Sequence, residues 1–315
     1  DEDDDDEDDD DDEDGCLKES ELDGRVPEVA DVIDILSDDS SDDDGSDVGP
    51  KETWIEIWRS RAANRKQEWK DYRDAHPLAA KELSPAELEL YNSCMVGDPD
   101  QIMFTRFNAK VYRSQLLCLK PGCWLNDEVI NQYLSLLRQR SMADSSRVKC
   151  YFHTSFLYSK MTETGTYDYD SVRKWTKRGL RKCDLSEMDL VFFPVNINQA
   201  HWALAIADLR HKRVEYFDSM GGMGQVYLRN VLQYMADELA DKRGITLELD
   251  EWESVSHGRD VPQQNNTNDC GVFVSTFCNY LSAGRELSFS CKDMKFFRKR
   301  MLVDLLNGEA SDPPP

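Results

Sequence analysis

The stretch PQQNNTNDCGVFVSTFCNYL, residues 262–281, decides the fold of this chain. Its first half is rich in Asn, Gln and Asp, which favour turns and helix caps, and its second half is apolar on most faces. The pattern predicts a loop that ends at Asp269 and a buried helix over residues 270–281. Cys270 is then the first residue of a central helix, where the positive end of the helix dipole favours a thiolate.

Other segments predict the elements that surround this helix. Apolar spacing indicates helices near residues 126–140 and 226–241, and strands at residues 190–195, 202–208, 213–217 and 245–249. Strands and helices do not alternate strictly along the chain. The fold class that this order favours is α+β.

A predicted hairpin supplies a partner for the cysteine. If the strands at residues 202–208 and 213–217 are joined by a two-residue turn at Leu209 and Arg210, His201 lies directly opposite Asp218. Opposed Cβ atoms are about 4.5–5.5 Å apart. At that distance a carboxylate can orient an imidazole and stabilise its charged form. The residues alone leave an ordinary surface His–Asp pair as the alternative.

Acyl transfer also needs hydrogen-bond donors for the oxyanion that forms during the reaction. Gln263 and Gln264 lie just before Cys270, and the amide of either one could supply such a donor. Cysteine, His–Asp pair and glutamine together predict nucleophilic catalysis by a thiolate. A buried structural cysteine is the alternative reading of Cys270.

The net charge of the chain comes entirely from one end. Residues 1–50 contain 26 acidic and two basic residues, a formal charge of −24, and the whole chain is also −24. Residues 51–315 are therefore electrically neutral. Because nucleic-acid binding requires excess Lys and Arg, we expect no nucleic acid as the main ligand.

Composition also predicts what the chain does not bind. Nine cysteines are scattered singly without a C-x-x-C pair, so we expect reduced thiols and neither a structural metal nor a cofactor. No stretch approaches the roughly 20 apolar residues that cross a bilayer. The expected protein is soluble, not secreted and not a membrane protein.

The chain divides into four predicted parts: a disordered acidic tail over residues 1–50, a helical extension over 51–100, a catalytic domain over 101–310 and a disordered end over 311–315. One apolar island interrupts the tail, formed by Val32, Ile33, Ile35 and Leu36.

Four motifs in register resemble the Ulp1/sentrin-specific protease family, closest to its Ulp1 and plant ESD4-like branch. They are Trp124-Leu125-Asn126-Asp127, His201-Trp202, Phe217-Asp218-Ser219 and the stretch at residues 262–271. The resemblance implies a papain-like fold with a mixed central sheet flanked by helices. It also implies a monomeric nuclear cysteine protease, with cytoplasmic presence left open, that matures SUMO and removes it from target lysines.

The resemblance assigns roles to individual residues. Cys270 corresponds to the nucleophile, His201 to the general base and acid, Asp218 to the orienting carboxylate and Gln264, rather than Gln263, to the oxyanion donor.

Three further residues correspond to the family's substrate contacts. Trp124 and Trp202 match two tryptophans that clamp the Gly-Gly tail of the substrate, and Asp127 matches a carboxylate that pairs with an arginine of SUMO. A core aromatic is the alternative for Trp124. One position departs from the family, because Thr267 stands where a glycine is usual. If that residue needs a positive φ, threonine is costly there.

The apolar island in the tail resembles a SUMO-interacting motif, a short strand that pairs with the edge of a sheet while flanking acids meet a basic rim. A protease for NEDD8 or ubiquitin is an alternative function, and a non-catalytic SUMO-binding scaffold is another. The intact Cys, His, Asp and Gln argue against the scaffold.

Overall fold

Strands that are buried on both faces form the centre of the fold, and helices cover each side of them. The computed structural model describes residues 82–177 and 183–314. The helices are α1 (Pro85–Cys94), α2 (Arg113–Leu116), α3 (Asp127–Ala143), α4 (Phe156–Met161), α5 (Gln225–Arg243), α6 (Cys270–Ser282) and α7 (Met294–Asn307). The strands are β1 (Ile102–Arg106), β2 (Ala109–Tyr112), β3 (Cys150–Phe152), β4 (Leu190–Ile197), β5 (His201–Asp208), β6 (Arg213–Phe217) and β7 (Glu253–Ser256).

The central sheet is mixed, in the order β3-β4-β5-β6-β7. Strand β4 pairs antiparallel with β5, and β5 pairs antiparallel with β6. The outer pairs β3–β4 and β6–β7 are parallel. Strands β1 and β2 form a separate hairpin. This architecture confirms the predicted α+β class with a mixed central sheet.

Two cores lie on opposite faces of the sheet because neighbouring side chains in a strand point to opposite sides. Leu204 and Ile206 of β5 pack in one core with α3, α6 and α7. Ala203 and Ala205 face the second core, which α4 and α5 complete. Helix α6 is buried along nearly its whole length, as its apolar sequence predicts.

Local capping explains where two helices begin. The side chain of Asn126 accepts a 2.9 Å hydrogen bond from the Val129 amide at the start of α3, and Ser84 forms a capping box with Glu87 at the start of α1. Although the sequence places α1 in the extension, Tyr91 and Cys94 are part of the first core. Helix α1 therefore packs with the domain.

The predicted hairpin register is wrong by two residues. The observed pairs run from Asp208↔Arg213 to Leu204↔Phe217, so four residues rather than two form the turn. Continuing this register places Asp218 opposite Ala203 and diagonal to His201. Because side chains alternate with a period of two, a shift of two residues keeps them on the same face of the sheet.

The strand predicted at residues 245–249 is also wrong. The chain is irregular there and forms a short 3₁₀ turn at Leu249–Glu251, and the fifth strand of the sheet is β7. Strand β7 was missed because it is a four-residue edge strand that is half exposed and contains only one aliphatic residue, Val255.

The carboxyl end differs from the expected disordered segment. Arg140 donates a 2.7 Å hydrogen bond to the carbonyl of Ser311, and Arg147 pairs with Asp312 at 2.8 Å. Residues 311–314 thus pack against the domain. The acidic tail, its apolar island and the first part of the extension lie outside the described residues. Within the described ranges, no helix combines the length and apolar character needed to cross a bilayer.

Candidate active site

His201 and Asp218 come together at one end of β5 and β6. The Nε2 atom of His201 lies 2.8 Å from Oδ1 of Asp218. His201 is the first residue of β5, directly after a turn in which Asn198 and Gln199 both adopt positive φ. The contact is the one that the sequence predicts, but it joins diagonal neighbours, whose Cβ atoms are typically about 7–8 Å apart. A carboxylate and an imidazole are long enough to bridge that spacing.

The environment of His201 favours its charged form. Burial alone would lower the pKa of His201, but hydrogen bonds with Asp218 and Cys270, together with the charges of both, outweigh burial and raise the pKa from 6.5 to about 9. The thiol of Cys270 is therefore close enough to His201 to influence its ionisation. This is the relation expected of a thiolate–imidazolium pair.

Asp218 is held in place by several donors. Burial raises its pKa, but the hydrogen bond from His201, the Met220 amide at 2.7 Å and the charge of His201 leave the pKa below its usual value. A Cβ atom added to Gly222 would lie 2.4 Å from Oδ2 of Asp218. The missing side chain at Gly222 thus makes room for the carboxylate.

Cys270 begins α6 and is almost completely buried. The next residue, Gly271, is packed against Leu125 and Trp202. A Cβ atom on Gly271 would lie 2.9 Å from Cβ of Leu125 and 3.3 Å from Cδ1 of Trp202. The segment that contains Trp124 and the start of β5 therefore both contact the first turn of the cysteine helix.

The two glutamines have different partners. The Nε2 atom of Gln263 lies 3.0 to 3.4 Å from the backbone carbonyls of Asp218, Gly258 and Val261. The Oε1 atom of Gln264 accepts a 2.7 Å hydrogen bond from Ser219, and its Nε2 donates to the carbonyl of Asn266 at 2.6 Å.

This difference favours Gln264 as the oxyanion donor. The amide group of Gln263 is surrounded by carbonyls and serves to hold its loop. Gln264 has one amide proton left over after its bond to Asn266, because a primary amide carries two. Ser219 sets the orientation of that amide, a role that sequence reasoning missed although Ser219 follows Asp218 in a recognised motif.

The two tryptophans differ in exposure. Trp124 is 45% exposed and Trp202 is 4% exposed, so Trp124 is not a core aromatic. Asp127 is the first residue of α3, and its Oδ1 accepts a 2.7 Å hydrogen bond from Ser155. Asp127 also lines a cavity of about 900 Å³ between α4, the β4–β5 turn and the start of α5. An exposed indole and a carboxylate at a cavity are both accessible to a substrate.

Thr267 causes no backbone strain. Positive φ values in the described residues occur at five non-glycine positions, and Thr267 is not among them. The glycine usual in the family is therefore not needed here for its conformation. In the same part of the chain, no group of three or more His, Cys, Asp or Glu side chains is arranged to hold a metal ion.

Comparisons with known proteins agree with this geometry. A model described as "Ulp1 protease family, C-terminal catalytic domain" matches residues 123–308. Sentrin-specific protease 2 of Mus musculus is 37% identical over 222 residues, which cover 70% of this chain and 36% of that protein. Ubiquitin-like-specific protease ESD4 of Arabidopsis thaliana is 32% identical over 223 residues, 70% of this chain and 45% of that one.

A solved structure supports the fold. The C-terminal Ulp1 protease domain in complex with SMT3, the yeast ortholog of SUMO, has a TM-score of 0.62 at 28% identity, and the match covers 72% of this chain and 96% of that domain. This chain spans less than half the length of the two named relatives. The similarity therefore covers only a part of each relative.

Proposed function

The chain belongs to the Ulp1 protease family, and from that membership we propose that it is a SUMO-specific cysteine protease. It cleaves after the Gly-Gly end of SUMO, both to release SUMO from target lysines and to mature SUMO precursors. The observation that carries the proposal is the joining of His201 to Asp218 at 2.8 Å beside the thiol of Cys270.

The proposed mechanism follows from these contacts. The Cys270 thiolate attacks the carbonyl carbon of the last glycine, and the tetrahedral oxyanion is stabilised by the Gln264 amide and the backbone amide of Cys270. His201 gives a proton to the departing lysine amine and an acyl-enzyme remains. His201 then takes a proton from water, which hydrolyses the acyl-enzyme. Asp218 keeps the imidazole oriented and charged.

Substrate selection is proposed to depend on the tryptophans. In the proposed clamp the Gly-Gly tail passes between Trp124 and Trp202 to reach Cys270, because glycine is the only residue slim enough to pass between two indoles. Asp127 pairs with a basic residue on the body of the substrate. SUMO is the proposed partner because the similar Ulp1 domain was solved with SMT3. We further propose a nuclear location, which rests on the family resemblance and the acidic tail.

The test is labelling by carboxyl-terminal vinyl sulfones of SUMO, NEDD8 and ubiquitin. We expect an adduct with the SUMO probe alone, on the peptide that contains Cys270. Cys270→Ser should form no adduct and should not turn over a SUMO substrate, while still binding SUMO, because a hydroxyl is far less ionised than a thiol of similar size. Faster labelling by NEDD8 or ubiquitin would replace SUMO as the proposed substrate, and no labelling by any probe would overturn the proposed activity.

A further inference from the structure

Arg298 of α7 is a buried charge beside the candidate nucleophile. Only 1% of its surface is exposed. Its guanidinium donates to five oxygen atoms: Oδ1 of Asp269 at 2.7 and 2.9 Å, and the carbonyls of Asn268, Cys118, Lys120 and Cys123 at 2.7 to 3.0 Å. An arginine has five N–H donors, so its hydrogen-bonding capacity is used fully.

These acceptors belong to two separate segments of the site. Asn268 and Asp269 directly precede Cys270, and the carbonyl of Cys123 directly precedes Trp124. One side chain therefore ties the cysteine loop to the segment that carries the exposed tryptophan. A buried ion costs several kcal/mol of desolvation even when it is paired. Because of this cost, packing alone does not explain why an arginine is buried at this position.

The position of Asp269 supplies the second observation. Asp269 is the N-cap residue of α6, yet its carboxylate makes no capping hydrogen bond to the helix. An aspartate in this position ordinarily accepts from the amides of the first turn. Here Oδ1 turns to Arg298, and Oδ2 accepts a 2.7 Å hydrogen bond from the side chain of Asn266.

An unpaired carboxylate at this place would oppose the chemistry. The amino end of a helix attracts anions, so a capping Asp269 would compete with the thiolate and the oxyanion for the same amides. Its negative charge would also repel both of them. By holding the Asp269 carboxylate away from the first turn, the guanidinium prevents it from competing for the helix amides. Its positive charge also reduces the repulsion between that carboxylate and the thiolate or oxyanion.

We propose that Arg298 is a positioning residue for the reaction at Cys270. It holds the Asp269 carboxylate away from the first turn of α6 and compensates its charge, and it fixes the Trp124 segment relative to the nucleophile. The inference rests on the proposed function only in its second part, because the reactivity of Cys270 can be measured without SUMO.

The test uses three variants and a matched control. Arg298→Met removes both effects, Arg298→Lys keeps the charge without the planar fork, and the double variant Arg298→Met/Asp269→Asn removes the unpaired carboxylate. The control is Arg113→Met. Arg113 is also buried, and it donates to the carbonyls of Ser93, Cys94 and Asp98 and to Gln101, far from Cys270 along the chain.

Two readouts separate positioning from stability. The first is the rate at which iodoacetamide alkylates Cys270, followed by mass spectrometry of its peptide so that other cysteines do not contribute. The second is kcat and KM on a SUMO substrate, below the unfolding temperature of every variant. Thermal unfolding is recorded for all of them.

We expect Arg298→Met to slow alkylation of Cys270 and to lower kcat on the order of 10²-fold, the cost of a small misplacement at a reaction centre. The double variant should recover most of the alkylation rate but not kcat, because the hydrogen bonds from Arg298 to the carbonyls before Trp124 are still missing. In Arg298→Lys, Cys270 should be alkylated at nearly the native rate, and kcat should be lowered. Arg113→Met should lose stability without a change in either readout.

Native kcat and alkylation in a destabilised Arg298→Met would show a structural residue only and overturn the proposal. If Cys270 is alkylated no faster in the double variant than in Arg298→Met, the proposal that Arg298 compensates the charge of Asp269 is overturned. If Arg298→Met does not fold, Arg298→Lys carries the test against Arg113→Lys, and equal kcat for the two would contradict positioning. If Cys270 is alkylated at the expected rates in the native protein and the variants, but the native protein cleaves no SUMO, the proposed function is refuted. The effect of Arg298 on the reactivity of Cys270 would still hold.

Discussion

Gln263 and Gln264 are adjacent and chemically identical, yet the structure gives their amides different surroundings. Gln263 is held among backbone carbonyls, whereas Gln264 is oriented by the hydroxyl of Ser219. The loop before α6 is also fixed by a 2.8 Å hydrogen bond from the Gln264 amide nitrogen of the backbone to the carbonyl of Ser219. The side chain of Gln264 can therefore change without loss of the loop's backbone anchor.

Gln264→Ala should lower kcat by roughly 10²–10³, the usual effect of losing one oxyanion donor, about 2.7–4 kcal/mol. KM should change little because the donor acts on charge that exists only during the reaction. Gln263→Ala should instead lower the melting temperature, with the smaller loss of kcat. Steady-state kinetics and thermal unfolding of the two variants measure this, and a larger kcat loss in Gln263→Ala would exchange the two roles.

His201 and Asp218 predict a specific pH dependence. We expect the raised pKa of His201, about 9, to set the alkaline limit of activity, because the imidazole must stay protonated to serve as the proposed acid. Asp218→Asn replaces the charged carboxylate with a neutral amide, so the negative charge that raises the pKa of His201 is lost, and burial, which lowers that pKa, remains. The alkaline limb of kcat/KM should therefore move to lower pH, and kcat should fall at least about tenfold. An unmoved limb would remove Asp218 from the mechanism.

Helix α6 combines two functions in one element. Its apolar body packs between α3, α7 and the sheet, which fixes its axis, and its first turn carries Gly271, the residue after Cys270, into contact with Leu125 and Trp202. A helix buried along its length cannot shift to accommodate a larger residue. The close approach at Gly271 thus determines how the proposed tryptophan clamp sits over Cys270.

Gly271→Ala tests this contact. Alanine gains about 1 kcal/mol over glycine in a helix, but overpacking against Leu125 and Trp202 typically costs about 1–3 kcal/mol. We expect lower stability and a several-fold loss of kcat/KM for a SUMO substrate. Ser275→Ala is the control in the same helix, because the buried Ser275 hydroxyl makes no hydrogen bond within the described residues. A more stable Gly271→Ala with native kinetics would contradict the proposed crowding.

The carboxyl end of the domain packs against α3, α6 and α7, and Ser311 bonds to a residue of each helix. Asp304 of α7 accepts hydrogen bonds from the amide and hydroxyl of Ser311 at 3.1 and 2.7 Å. Burial raises the pKa of Asp304 to about 6 in spite of these bonds. Asp312 has the opposite shift, because its hydrogen bond from Arg147 lowers its pKa.

These two carboxylates should affect stability with opposite signs. Between the ordinary pKa of 3.8 and about 6, folded Asp304 holds more proton than unfolded Asp304, so its contribution to the free energy of unfolding falls as pH rises. Asp304→Asn should remove that fall. Ionised Asp312 stabilises the fold, so its contribution to the free energy of unfolding is lost as the pH falls and the carboxylate becomes protonated. Asp312→Asn should remove this loss of stability at acid pH. Thermal unfolding across a pH series measures both, and equal slopes for native protein and Asp304→Asn would refute the first.

The acidic tail is a separate prediction for the whole chain. A peptide of residues 28–48 should bind SUMO through Val32, Ile33, Ile35 and Leu36, and replacing Ile33 and Ile35 by Ala should weaken binding. Phosphorylation of Ser40 and Ser41 should strengthen it, and salt should reduce the gain. Calorimetry provides the test. Equal affinities of native and Ala-substituted peptides would make the island an accident of composition.

Several features of the fold could be predicted from the sequence because their causes are local. Apolar residues on most faces predict that α6 is buried, and the cap-forming residues before it predict that it begins at Cys270. The period of two in a strand places His201 and Asp218 on one face even though the predicted register was wrong. Periodicity tolerates an even error, and so the site could be anticipated.

The tertiary structure alone decided the partners of residues that are equivalent in the sequence. The register of β6 depends on a turn of four residues, and β7 pairs with it from a distant part of the chain. The hydroxyl of Ser219 donates to Gln264 rather than to Gln263, and Arg298 contacts Asp269 across 29 residues of sequence. Such partners are set by where whole elements pack, because a hydrogen bond between distant segments leaves no periodic pattern in either one.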